Sequence, residues 1–173
     1  DGAQVIVGDV AADSVALSWP AATDDFAVTQ YKIVTSESGS TVSTNYTAPT
    51  GYTVTGLNSN TQYSFAVTAL DATGKESSPL SAGARTRAGL PAWPDGASLT
   101  VSNLSAAGLD LNWPQVTKPE DLAGYKVYVN GAPEATLGAT AYYYELGGLF
   151  GGAKVTLSVV PFNADGQSGA ALE

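Results

Sequence analysis

Trp19-Pro20, followed twelve residues later by Tyr31-Lys32-Ile33, recurs 94 residues on as Trp113-Pro114, followed twelve residues later by Tyr125-Lys126-Val127. The same alternation leads into each copy: Val15, Leu17 and Trp19 in the first, Leu109, Leu111 and Trp113 in the second. A repeat this long exceeds the roughly 20–50 residues of a solenoid unit and has the size of a small complete domain. Two such domains fit a chain of 173 residues. The copies predict two modules, residues 1–88 and 89–173, joined by a linker over 89–95.

Outward from the repeat, strand signals dominate. Tyr63, Phe65, Val67 and Ala69 alternate with Ser64, Ala66 and Thr68, the period-two pattern of a half-buried strand. Val155, Leu157 and Val159 mirror them 92 residues later. Gly and Asn clusters punctuate the runs at Ser38-Gly39-Ser40, Gly56-Leu57-Asn58-Ser59-Asn60 and Ala72-Thr73-Gly74, and Asp71-Ala72-Thr73-Gly74 matches Asn163-Ala164-Asp165-Gly166. Asn130-Gly131 supplies two residues tolerant of positive φ and marks a tight hairpin. No amphipathic helix is evident. About seven short strands per copy, with turns every 8–12 residues, predict an all-β chain of two tandem seven-stranded antiparallel sandwiches.

The Trp closing the second strand, the Tyr opening the third, and Gly56-Leu57 followed by Thr61 to Ala69 resemble the fibronectin type III domain, an immunoglobulin-like sandwich. Asp121-Leu122-Ala123-Gly124-Tyr125-Lys126-Val127-Tyr128 is similar to the third-strand entry of the bacterial versions. The resemblance covers essentially the whole chain. It implies that Trp19 and Trp113 fill the space between facing sheets, with Tyr31, Tyr125 and Leu149 among the structural positions. It also implies that Leu57 and Tyr63 form a tyrosine corner, with the ring buried and the hydroxyl bonded to nearby backbone. The second copy carries Val155 in place of Tyr63 and loses that bond, so it is expected to be the less stable module. Only seven residues follow Gly166, against thirteen from Gly74 through Arg87, so its last strand is expected to be short or truncated. The chain begins at Asp1 and reads as an excerpt, and the terminal Leu172-Glu173 reads equally as native sequence or as an appended scar. At the joint, Pro91 and Pro94 favour extended chain, and Trp93 is expected to pack between the modules.

Composition narrows the chemistry. There is no Cys and no His, so no Ser-His-Asp or Cys-His nucleophile can be assembled and no His- or Cys-based zinc site exists. The net charge is −9, shared evenly: eight acids and four bases in residues 1–88, eight acids and three bases in 89–173. Nucleic-acid binding needs a basic footprint, which the chain lacks, and anionic membrane surfaces are disfavoured. No apolar run is long enough for a transmembrane helix. The triplets Asn45-Tyr46-Thr47 and Asn103-Leu104-Ser105 match the glycosylation pattern by chance composition.

Two groups of residues remain as candidates. Asp24-Asp25 and Glu120-Asp121 occupy corresponding loops. A glycosidase needs two carboxylates about 5–9.5 Å apart across a cleft, and a calcium site needs 6–8 oxygen ligands. Neighbouring acids on one convex loop meet neither requirement well, so these four are weak metal candidates and read first as solvated turn residues. The second group is aromatic. Strand parity points Tyr128 and Phe162 outward, and Tyr143 outward between inward Tyr142 and Tyr144, while Phe26 is an extra apolar loop residue. Such rings most often form cross-strand pairs; flat exposed rings can also stack on sugars.

The resemblance therefore implies a non-catalytic spacer and accessory pair from a secreted or cell-surface bacterial multidomain protein acting on polysaccharide. The chain is expected to be extracellular, monomeric and free of cofactors, with other domains of the same parent chain as its partners. The alternative is a binding or adhesion module that holds polysaccharide or a cell-surface protein through the exposed aromatics.

Overall fold

In the computed structural model, residues 2–152 and 154–173 are described. The chain folds as two compact units, Asp1–Arg87 and Ala88–Glu173. The first unit contains β1 (Ile6–Val10), β2 (Ser14–Ser18), β3 (Val28–Glu37), β4 (Ser40–Thr47), β5 (Gly51–Thr55), β6 (Gln62–Asp71) and β7 (Leu80–Arg85). They form two antiparallel sheets, ordered β1-β2-β5 and β4-β3-β6-β7. The alternating residues do what their period requires. Val15 and Leu17 on β2, Tyr31 and Ile33 on β3, and Tyr63, Phe65 and Val67 on β6 share one buried cluster with Val54 on β5.

The second unit repeats the frame with β8 (Thr100–Ser102), β9 (Gly108–Asn112), β10 (Leu122–Val129), β11 (Ala132–Gly138), β12 (Tyr143–Gly147) and β13 (Leu157–Asn163). Its sheets are ordered β12-β9-β8 and β11-β10-β13, around Leu109, Leu111, Trp113, Tyr125, Val127 and Val159. A three-residue 3₁₀ turn, Pro119–Asp121, precedes β10. Among the described residues this unit has six strands rather than the expected seven. The place of the seventh is taken by the terminal segment, which pairs with β13 through the bridges Phe162↔Ser168 and Val159↔Leu172. Ser168-Gly169-Ala170-Ala171 carries no β-branched or aromatic residue, which weakens a regular strand. Leu172 nonetheless enters the core and exchanges two backbone hydrogen bonds of 2.9 Å with Val159.

Backbone pairing repeats at fixed offsets. Trp19 N donates to Thr50 O as Trp113 N does to Tyr142 O, and Leu57 N to Asp13 O as Leu149 N does to Ala107 O. Asn130 and Gly131 have φ of 52° and 76°, the tight hairpin turn that an Asn-Gly pair favours. Ser38 and Gly39, at 49° and 84°, make the matching turn in the first unit.

The segment from Gly89 to Asp95 is not a free linker. Ala88 and Pro91 are buried, Asn163 Nδ2 donates to Gly89 O at 3.0 Å, and Thr117 N donates to Ala92 O at 2.9 Å. Gly169 lies so close to Pro91 that any Cβ there would collide with the Pro91 carbonyl. Trp93 also belongs to the second unit: its indole stacks on Tyr125 at 5.7 Å with 19° between planes, and Nε1 donates to Ala170 O at 2.9 Å. Pro94 is half-buried in the same stretch, its carbonyl accepting from Ala97 N. Reading these residues as an inter-module joint missed that an extended proline segment, which needs no ladder of its own, can lie along the edge of a sandwich and close it.

Candidate functional site

Each unit is latched by its repeated Trp and Tyr. Trp19 meets Tyr31 edge-on at 5.4 Å and 63°. Trp113 meets Tyr125 at 5.5 Å and 56°. All four rings are at most 5% exposed. Each tyrosine hydroxyl accepts from the backbone N–H three residues after the Trp: Ala22 N to Tyr31 Oη at 3.0 Å, and Val116 to Tyr125. Burial pushes the Tyr125 hydroxyl above its ordinary value, partly offset by the Val116 bond. Trp113 Nε1 donates to Ala141 O at 3.2 Å, whereas Trp19 Nε1 has no partner among the described residues.

Tyr63 and Leu57 are buried, and the Tyr63 hydroxyl accepts from Asn58 N at 3.0 Å. Thr86 closes the same corner, donating to Asn58 O at 2.7 Å and accepting from Thr61 N at 2.9 Å. In the second unit Leu149 is half-buried against the core and Val155 offers no hydroxyl. There β13 begins at Leu157, three residues later than the counterpart of Gln62 at the head of β6.

Two buried polar residues were not singled out in the sequence, although the matched loops that contain them were. Asp71 Oδ1 accepts from Thr73 N, Thr73 Oγ1 and Lys75 N at 2.8, 2.8 and 2.9 Å. These bonds, the Lys75 N–H first and the Thr73 hydroxyl next, hold its carboxyl below the ordinary 3.8. Asn163 does the equivalent work, with Oδ1 accepting from Gln167 N at 2.8 Å. Their signal was a polar residue placed where the alternating strand ends, one position before a Gly-containing turn.

The loop acids do not converge. Asp24 and Asp25 are exposed in the first unit, where Asp24 Oδ1 accepts from Phe26 N at 3.4 Å. Glu120 is exposed in the second unit, but Asp121 is 1% exposed. Its reading as a solvated acid is corrected by the 3₁₀ turn, which ends on it and carries it inside. Among the described residues, no group of three or more acids could hold a metal ion.

The aromatic candidates lie on separate surfaces. Tyr128 and Phe162 are half-buried on β10 and β13. Phe162 pairs with Gly124 across the ladder, and its ring covers that glycine so closely that a Cβ would press on it. Lys126 Nζ sits 5.2 Å from the same ring, a cation–π distance. Phe162 is thus engaged by its own sheet. Tyr143 is 44% exposed on the other sheet, paired with Asn112. Tyr142 is 66% exposed, not inward, and its ring lies 5.4 Å from that of Tyr143. It precedes the first residue of β12, where strand alternation no longer applies. Phe26 is exposed in the first unit. Phe150, not singled out in the sequence, is more exposed still at 86%.

Residues 3–83 match the family described as fibronectin type III domain. Chitinase A1 of Niallia circulans is 32% identical over 169 residues, which is 94% of this chain and 23% of that protein. Exoglucanase B of Cellulomonas fimi is 34% identical over 127 residues, 70% of this chain and 11% of that protein. The chain thus spans less than a quarter of the length of these curated relatives. Among solved structures, a two-domain fibronectin type III segment of chicken tenascin matches with a TM-score of 0.50 and 16% identity, covering 99% of this chain and 97% of that one.

Proposed function

The chain belongs to the fibronectin type III family as a tandem pair of such domains, and from that premise we propose that it is a non-catalytic spacer and accessory pair within a bacterial extracellular protein that acts on polysaccharide. The observation that carries this reading is the match of 94% of this chain to a stretch that is only 23% of a chitinase. The internal geometry supports it. The Tyr31, Tyr63 and Thr86 hydroxyls are committed to backbone atoms, each unit has its own core cluster without a disulfide, and fold alone assigns no chemistry. Its partners are then the neighbouring domains of the parent chain, which it spaces apart as a monomer.

A second reading, carbohydrate binding, is favoured by one observation: the exposed Tyr142–Tyr143 pair beside Asn112, since aromatic faces and amides together suit sugars. Sedimentation with insoluble chitin, cellulose and bacterial cell wall separates the two. A spacer stays in the supernatant with all three. Retention lost in a Tyr142→Ala, Tyr143→Ala double variant, or in Tyr128→Ala, would replace the spacer reading with a binding one. Turnover of any of these polymers by the chain alone would remove both.

A further inference from the structure

Asn130-Gly131 is the single Asn-Gly pair among the seven asparagines of the chain, and both residues are exposed in the turn between β10 and β11. Val129 pairs directly with Ala132. Gly131 therefore lies outside the ladder, with no side chain to shield its N–H. Thr156, just ahead of β13, grips the asparagine from the other side. Asn130 N donates to Thr156 O at 2.8 Å. In return Thr156 N donates to Asn130 Oδ1 at 2.9 Å, and the Thr156 hydroxyl lies 3.4 Å from the same oxygen. A backbone N–H can only donate, so it fixes the carboxamide oxygen on the Thr156 side and leaves the Nδ2 amine on the other side of Cγ. In the first unit the matching turn is Ser38-Gly39, with a hydroxyl where the carboxamide stands.

We propose that Asn130 is a site of spontaneous covalent modification, at which the carboxamide is lost as ammonia to the neighbouring Gly131 nitrogen while Thr156 stabilises the negative charge that gathers on Oδ1. Solvent base takes the Gly131 N–H proton, and the nitrogen forms a bond to Asn130 Cγ. The tetrahedral carbon carries its charge on Oδ1, where two donors already point; donors placed in advance at a developing oxyanion lower the barrier to reaching it. The bond from Cγ to Nδ2 then breaks, and Nδ2 takes a proton from solvent and leaves as ammonia. Water opens the cyclic imide that remains. Cleavage between Cγ and the Gly131 nitrogen leaves Asp at position 130, whose carboxylate still accepts from Thr156 N. Cleavage between the main-chain carbonyl carbon and that nitrogen leaves isoaspartate, which runs the chain through Cγ and adds one backbone atom to a two-residue turn. Loop length fixes hairpin register, so this product loosens the β10–β11 hairpin. The change ages the second unit alone, since the Ser38-Gly39 turn has no carboxamide to lose. It goes beyond the spacer reading and does not depend on it.

The test holds the full 173-residue chain in mildly alkaline buffer, folded and in parallel unfolded in guanidinium chloride, and maps each asparagine over time by proteolysis and mass spectrometry. In the folded chain Asn130 should convert ahead of the other six asparagines, and at least as fast as in the unfolded chain. Thr156→Pro removes both donors. Where its amide spectrum shows a folded second unit, conversion should be roughly threefold to tenfold slower, less than the loss of one donor costs a buried oxyanion site, because water replaces it at an exposed turn. Slower conversion in the folded than in the unfolded chain would overturn the proposal, since the turn would then protect the amide. So would an unchanged rate in folded Thr156→Pro. Should that variant not fold, the comparison of folded with unfolded wild type decides alone.

Discussion

The first unit ties its tyrosine corner with side-chain hydrogen bonds, while the second packs an extra indole on its repeated tyrosine. In the first, Tyr63, Asn58, Thr61 and Thr86 knit the turn between β5 and β6 to the chain that follows β7. In the second, that corner has Val155 and a late-starting β13, while Trp93, Tyr125 and Trp113 form a run of rings at 5.7 and 5.5 Å. Trp113 Nε1 has a carbonyl partner where Trp19 Nε1 has none among the described residues. The shared part is the Trp–Tyr contact and the backbone pairing at constant offsets. The reinforcement around that frame differs: side-chain hydrogen bonds at the tyrosine corner in the first unit, an added stacked ring in the second.

The shared frame should therefore be the costliest part to break, and in both units alike. Trp19→Ala or Trp113→Ala should each destabilise its own unit by about 3–5 kcal/mol, a large share of the roughly 5–15 kcal/mol that holds a domain together. Denaturant unfolding followed through amide resonances assigned to each unit would resolve them. Loss of only about 1 kcal/mol in either variant would mean that the indoles do not carry the cores.

The corner should break asymmetrically, and by less. Tyr63→Phe keeps the ring and removes the hydroxyl, leaving the Asn58 N–H without its acceptor, at a cost of about 1–3 kcal/mol read in the first unit's unfolding transition. Val155→Phe, the matching change in the second unit, removes no hydrogen bond and should not reproduce that loss. Equal effects of the two substitutions would erase the contrast between the units.

Much of this frame was legible from the chain itself. A strand with one buried face must alternate, so Val15-Leu17-Trp19 and its copy could be read directly, and Asn130-Gly131 named its turn. The segment before β8 was misread because proline signals extended backbone without saying whether that backbone is free or laid against a sheet edge; only the Asn163 and Thr117 bonds decide it. Tyr142 was misread because parity holds only within a strand, and β12 begins one residue later. Asp121 was misread because a short 3₁₀ turn can bury an acid that a loop would leave in water. The candidate ligand surfaces were the least legible, since outward parity does not reveal that Phe162 already covers Gly124.

The smallest contrast is Asp71 against Asn163, at the head of corresponding loops that also differ at Thr73 and Asp165 and at Lys75 and Gln167. Each side-chain oxygen accepts the backbone N–H four residues on, from Lys75 and from Gln167, but only Asp71 can take up a proton. Because its folded carboxyl lies below the ordinary 3.8, the folded state binds that proton less readily than the unfolded chain does. The resulting stabilisation is fully present above the unfolded value and is lost as pH falls below 3.8 through the lowered folded value. Asp71→Asn keeps an acceptor oxygen, so its effect at neutral pH should be smaller than that of Tyr63→Phe. The difference between wild type and variant in the first unit should shrink as acid is added, while Asn163→Asp sets a carboxylate oxygen against the Gly89 carbonyl that the amide now donates to, so the second unit should lose stability at neutral pH and regain part of it in acid. Chemical denaturation of both variants between pH 7 and pH 2 measures this, and a wild type-to-variant gap that stays constant across that range would show that the Asp71 loop is held by shape and not by charge.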